Sequence, residues 1–435
     1  MTRQPGPGKL SFLAVPRHWR LLLMPALVLI GGLVLLVVLA LRQDARSARI
    51  NTAADAWALA YWRTPIPPQG APPPEILAPA RGIAPEDCGQ CHQPQYEAWR
   101  ASLHSEAMGP GVVGQFHGMG FGEQAQCLDC HAPLSEQWAR RPAAGGTWVD
   151  NPAFAPALTG QGITCAACHL RGHVRHGPPL REGRPSVSQA VHGAPVRTPH
   201  FQASEFCKGC HQHPSASLQL NGKTIENTYN EWLASPAAAQ GITCQGCHMP
   251  DRQHHWRGIH DKAMTLQGVT ISASVEPAAP ALGGPVEARL TIANTGTGHA
   301  FPTYTTPAVF LRAAFLDGAG QVLPGGYFAE KIIQRRLNMA VSPWQETFDT
   351  RLLPGDATTL RFARQVPAEA VALYLWIWVE PDHFYTDFFQ SRLRADPAGP
   401  GAAQYRASME RTLARRYLLF GRTVPLAPLG DTREN

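Results

Sequence analysis

The chain has no cysteine to spare. All ten cysteines fall in five short words: Cys88-Gly-Gln-Cys91-His92, Cys127-Leu-Asp-Cys130-His131, Cys165-Ala-Ala-Cys168-His169, Cys207-Lys-Gly-Cys210-His211 and Cys244-Gln-Gly-Cys247-His248. None is left for a disulfide or a lone thiol. No C-x-x-C-K variant occurs, and there is no Gly-rich phosphate loop or Walker pattern, so the common nucleotide-binding designs are excluded. Charge is scarce, at 16% of 435 residues, and the net +6 is spread along the sequence. It does not read as a nucleic-acid surface. The first twenty residues hold no acid, only Arg3, Lys9, Arg17 and Arg20 among charged side chains, and Leu21–Leu41 holds no charge at all.

Each word is C-x-x-C-H, the signature of c-type haem attachment. Two thiols on one short turn add to the two vinyl groups of one haem. The His that follows comes under the iron as the proximal ligand. Zinc or dithiol sites do not call for a His directly after every pair. The expectation is five covalently bound haem c groups on Cys88, Cys91, Cys127, Cys130, Cys165, Cys168, Cys207, Cys210, Cys244 and Cys247, with His92, His131, His169, His211 and His248 on iron. Haem plates are large and apolar. They substitute for core side chains and suit short helices joined by loops, in a chain with 40 Gly and 40 Pro.

Leu21–Leu41 spans about 21 residues, or ~31 Å as a helix, enough to cross a bilayer core. It is read as an uncleaved transmembrane anchor after a cytoplasmic tail at 1–20. Arg42, Arg46 and Arg49 follow the span, so charge alone leaves its orientation nearly balanced. Attachment of c-type haem is completed outside the bacterial inner membrane, which places the body in the periplasm on a single pass. Residues 42–85 carry Pro65, Pro67, Pro68, Pro72, Pro73 and Pro74 and read as a stiff spacer, or else as a strap packed on the body.

The haem words recur at roughly 40-residue intervals within residues 86–262, as a repeated unit would. The best copy runs from Cys88 to His104 through Tyr96, Trp99 and Ser102. A second echo, Thr228-Tyr-Asn-Glu-Trp-Leu-Ala-Ser235, precedes the fifth word. On a helix His104 would share a broad side with Tyr96 and Trp99 and reach an iron. Together with Gly162-Ile-Thr-Cys165…His176 and Gly241-Ile-Thr-Cys244…His248-Met-Pro250, these residues resemble the cytochrome c554 group of multihaem cytochromes. The resemblance covers about residues 82–262. It implies stacked haems, mostly with two His ligands each, that carry electrons. The type member has four haems and is soluble, so the fifth word, the anchor and the C-terminal extension are departures.

Beyond residue 264 the period changes to two. Val269, Ile271, Ala273 and Val275 alternate with polar residues, as do Ala288, Leu290 and Ile292, then Val309, Leu311, Ala313 and Phe315, then Leu360 and Phe362. This predicts a β-sandwich over 263–395. Val371–Glu380 is apolar on both faces, so it is either central or packed on the haem region. Gly401–Arg422 reads as a helix, from Tyr405, Met409, Leu413 and Tyr417, within a terminal segment 396–435. The fold class is α+β multidomain: transmembrane helix, helical and irregular pentahaem domain, β-sandwich, final helix.

Five irons need sixth ligands. The expected distal set is His104, His176, His192, His260 and His299. His173 rivals His176, His200 rivals His192, and His254 and His255 rival His260. His117, His213 and His383 complete the unassigned histidines, and Met108, Met119 and Met249 are alternatives that would raise a potential. Two functions are weighed. The first is a membrane-anchored periplasmic electron relay with redox protein partners or a quinol-linked donor, and no catalytic residue. The alternative is a haem oxidoreductase acting on a small nitrogen or sulfur species at one open iron. Pentahaem nitrite reductases typically carry C-x-x-C-K, which is absent, so electron transfer is preferred over an enzyme.

Overall fold

The computed structural model describes residues 53–182, 189–213, 219–338, 341 and 344–427. The chain divides into two units, Met1–Trp57 and Ala58–Asn435. Of the first, only residues 53–57 are described, and they are helical. The rest of this account concerns the second.

Residues 58–262 form short helices joined by turns. Helix α1, Gln93–Arg100, begins at Gln93-Pro94, where proline's fixed φ suits a first turn. Its Trp99 is buried and donates from Nε1 to the Ile163 carbonyl at 2.7 Å. Helix α2, Phe121–His131, ends on the second haem word. The echo forms helix α3, Thr228–Leu233. Buried apolar side chains here make only small clusters, one of Ile66, Leu134, Ala166, Ala167 and Leu170, another of Met108, Ala125, Leu128, Ala132 and Trp138. Ile66 is fully buried and bridges Leu134. The proline-rich run from Ala58 onward is thus a strap on the body rather than a free spacer.

The larger core lies in the β region. Strands β1 (Val269–Glu276), β2 (Pro285–Asn294), β3 (Ala308–Leu316), β4 (Phe328–Ile333), β5 (Ala357–Gln365), β6 (Ala372–Glu380) and β7 (Tyr417–Pro425) make two antiparallel sheets. Their orders are β5-β2-β1 and β4-β3-β6-β7. Alternation works as expected: Val286, Ala288, Leu290 and Ile292 are buried while Glu287 and Arg289 are exposed. Phe315 of one sheet meets Phe362 of the other edge-on, with ring centres 5.3 Å apart. Each such fully buried large side chain contributes about 1.5–3 kcal/mol of transfer free energy. Strand β6 is interior to its sheet. Leu373, Leu375, Ile377 and Val379 are buried, and Tyr374, Trp376 and Trp378 are half-exposed.

Three expectations are corrected. No helix among the described residues is long and apolar enough to cross a membrane. The expected span Leu21–Leu41 lies outside the described residues. The fold is a mixed helical and sheet one with several antiparallel sheets, and the fold class with a transmembrane helix, the single-pass inner-membrane topology and the periplasmic placement are withdrawn. The final helix is also shorter than the periodicity suggested. Helix α5 covers Ala402–Ala414, and Tyr417 begins β7, paired to β6. Leu418, Leu419, Phe420 and Val424 pack better on a sheet edge than on a further helical turn. Lastly, helix α4, His383–Ala395, interrupts the region read as all strand. Its Phe389 stacks on Tyr405 of α5 at 5.7 Å.

Candidate haem sites

Each haem word forms or ends a helical turn: Cys88 in Pro85–Gly89, the second on α2, then Cys165–His169, Glu205–His211 and Cys244–His248. Residues three and four apart share a helix face, so two thiols and one imidazole come together. None of the ten cysteines is in a disulfide; Cys91 and Cys247 are exposed and the others half-buried. The words also lie beside one another. Cys88 lies beside Cys165, Cys130 beside Cys210, and Cys207 beside Cys244.

Four of the word histidines face a second imidazole. Ring centres are 6.0 Å apart for His92 and His192, and 6.2 Å for His169 and His254, His211 and His104, and His248 and His299. Two imidazoles that share one metal, each about 2 Å from it through nitrogen, have centres about 6 Å apart. Ordinary aromatic pairs scatter over about 4.5–7 Å. Here each pair joins one word histidine to one from elsewhere in the chain, at nearly one spacing. The donor set therefore fits a haem with two axial histidines.

In four word histidines Nδ1 is engaged. His131 Nδ1 lies 2.6 Å from the Ala107 carbonyl, His169 Nδ1 2.8 Å from that of His176, and His248 Nδ1 2.7 Å from that of Arg257. His211 Nδ1 meets the Tyr304 hydroxyl. A proton held on Nδ1 leaves Nε2 as the ligand nitrogen. Burial disfavours the charged form of five of these rings: it pushes His104 down to about 3 and His211 and His254 to about 4, and lowers His169 and His299.

Of the expected distal residues, His104, His192 and His299 face word histidines. His104 does so from the turns after α1, not from the helix itself. His176 and His260 do not. The His176 ring packs edge-on against Tyr61 at 5.4 Å, and only its carbonyl meets His169. His260 Nε2 pairs with the Asp382 carboxylate at 3.0 Å. His254, weighed as a rival of His260, faces His169 instead. His173 bonds the Gly70 carbonyl at 3.0 Å and His383 bonds Glu380 at 2.8 Å. No imidazole faces His131 among the described residues.

Residues 87–170 match the family model for cytochrome c554 and c-prime. Among solved structures the chain is similar in fold to a penta-heme cytochrome c552 from Thermochromatium tepidum. The identity is 19%, with a TM-score of 0.54 over 79% of this chain and 99% of that one. A putative ApaA protein from Bordetella pertussis (15% identity, 26% of this chain and 76% of that one, TM-score 0.14) and the sporulation control protein Spo0M from Bacillus subtilis (8%, 26% and 43%, 0.13) are too distant to carry an argument. No curated protein matches the chain.

Among the described residues no group of three or more His, Cys, Asp or Glu is arranged to hold a metal ion. The functional expectation is corrected accordingly. Neither an anchoring span nor such a cluster stands behind a membrane-anchored periplasmic relay, and neither that reading nor its oxidoreductase alternative is carried forward. What remains is the cytochrome-like fold. A quinol-linked donor would need contact within a bilayer, so it is withdrawn with the membrane, and the redox protein partners with it. A haem iron takes only its axial ligands from the protein, so pairs, not clusters, are the relevant geometry.

The loop after β2 was only half legible. Gly298-His299 is a visible signal, and the glycine sits in a tight place: a Cβ there would lie 3.0 Å from the Ala237 methyl and 3.3 Å from the Trp232 ring. Tyr304, five residues on, has no sequence mark. Glu231 of α3 gathers this loop. It accepts from the Ala300 amide at 3.2 Å and from Thr303 Oγ1 at 2.7 Å, and pairs with Arg351 at 2.9 Å.

Proposed function

We propose that the chain is a cytochrome-like electron-transfer protein that carries five haem c groups, one on each C-x-x-C-H word. The observation that carries this reading is the set of four opposed imidazole pairs. The axial pairs proposed are His92 with His192, His169 with His254, His211 with His104, and His248 with His299. His131 is the proximal ligand of the second haem. The haem supplies a reversible one-electron couple. The chain attaches it by two thiols and holds the rings of His131, His169, His211 and His248 by hydrogen bonds at Nδ1.

Two further observations support it. The haem region has little aliphatic core, as suits a fold in which flat apolar groups carry part of the burial. Its words also lie beside one another, one by three and two by four by five, and Cys168 of the third lies beside Cys207 and Cys210 of the fourth. That puts every haem edge close to another. The family match over residues 87–170 and the fold likeness to a penta-heme cytochrome agree with a haem-binding chain.

The test is haem stoichiometry. Pyridine haemochrome per protein, with intact mass, should give five covalent haems in protein made with haem-attachment machinery. Four or fewer would sink the count, and none the whole reading.

A further inference from the structure

We propose that Tyr304 is a positioning residue for the fourth haem: its phenol oxygen takes the hydrogen bond from His211 Nδ1 and holds that haem at a higher potential than a backbone carbonyl would. The inference rests on the haem reading above and goes beyond it.

The Nδ1 partners of the word histidines are not alike. For His131, His169 and His248 the partner is a peptide carbonyl, at 2.6–2.8 Å. For His211 it is the Tyr304 hydroxyl. A peptide oxygen carries extra negative charge from amide resonance. A phenol oxygen gives part of a lone pair to its ring and accepts less well. The hydrogen bond at the far nitrogen sets how basic the ligand nitrogen is. A less basic imidazole stabilises the ferric iron less, so the couple moves up; second-shell hydrogen bonding is one of the levers on haem potential.

The phenol is fixed in place by its neighbours. The Thr228 hydroxyl lies beside it. Thr228 Oγ1 is 2.8 Å from Thr303 Oγ1, which donates to Glu231. One β-region loop therefore places His299 opposite His248 and Tyr304 behind His211. The fourth word is also the junction of the words, since it lies beside the second and the fifth and beside Cys168 of the third. A raised potential there makes the junction the place where an electron rests.

The experiment compares the full-length haem-loaded protein with its Tyr304→Phe variant. Haem content is read first, by haemochrome and by mass of the Cys207–Cys210 peptide. Redox titrations followed by low-temperature EPR are read second. Loss of the acceptor should move one haem potential upward and change the g-values of that haem alone, with five haems retained. Unchanged potentials and g-values, or a downward shift, overturn the proposal and leave Tyr304 a packing residue. A wild-type Cys207–Cys210 peptide without haem would instead overturn the haem reading. Thr228→Val keeps the phenol and removes the hydroxyl beside it. It should shift the same haem by less, and wild-type potentials in that variant would overturn the proposal even if Tyr304→Phe fails to accumulate.

Discussion

His248 and His299 face each other with ring centres 6.2 Å apart and planes 12° from parallel. One belongs to the fifth haem word and the other to a loop between β2 and β3. This relationship brings a side chain of the helical region against one from the sandwich. His299→Ala should leave five haems attached and turn one from low-spin to high-spin. That haem should then bind cyanide or imidazole readily. An EPR spectrum of the variant identical to that of the parent would remove His299 from the ligand set.

The third haem offers a paired test. His254 faces His169, whereas His176 offers it only a carbonyl. His254→Ala should therefore produce one high-spin haem. His176→Ala should not, because its backbone oxygen remains. If the two variants exchange these outcomes, the assignment is reversed.

The joint between the regions should be sensitive to one arginine. Arg351 is almost fully buried, donating to Glu231 and Asp349 at 2.9 Å each and to the Thr303 carbonyl at 2.6 Å. Arg351→Leu leaves the buried Glu231 carboxylate without its cation and Asp349 with Lys223 alone, and removing one partner of a buried pair costs about 3–5 kcal/mol. Thermal unfolding of the haem-loaded variant should show a clear loss, with haem content preserved. A loss under about 1 kcal/mol would place the network among weak surface pairs.

Acid should act on the same network. Burial alone would raise the Asp349 carboxyl, but the Arg351 and Lys223 hydrogen bonds and charges outweigh it and hold it well below the usual range. A depressed carboxylate contributes its stability above its unfolded value of about 3.9, and loses it as pH falls through the lower folded value. Asp349→Asn should thus narrow its gap from wild type as pH drops below about 4. A gap that stays constant from pH 7 to pH 3 would show that Asp349 contributes by shape rather than charge.

The C-x-x-C-H words were legible because their spacing keeps two thiols and an imidazole within one short turn. The strands were legible because one face of each sheet is buried, so Leu290 and Ile292 had to alternate with Arg289 and Thr291. The facing histidines were not, because no local rule links His192 to His92 or His254 to His169; only the packed turns bring them together. His104 was found through a helix that in fact stops at Arg100. His176 was chosen for its distance from the third word, but its carbonyl was the nearer group to His169. In the last segment Tyr417 fitted a four-residue period, and pairing with Val379 pulled it into the sheet.

The loop that carries His299 and Tyr304 also sets an order of assembly. The thiols of the fourth and fifth words are present as soon as residues 207–247 are made, so haem attachment there needs nothing further along the chain. On the proposed ligation, the fifth iron gains its second histidine, and the fourth histidine its phenol partner, only once β2 and β3 have closed around residues 294–308. Sheet formation then acts as a completeness check, because a chain whose sandwich misfolds would hold its haems yet leave one iron open to adventitious ligands.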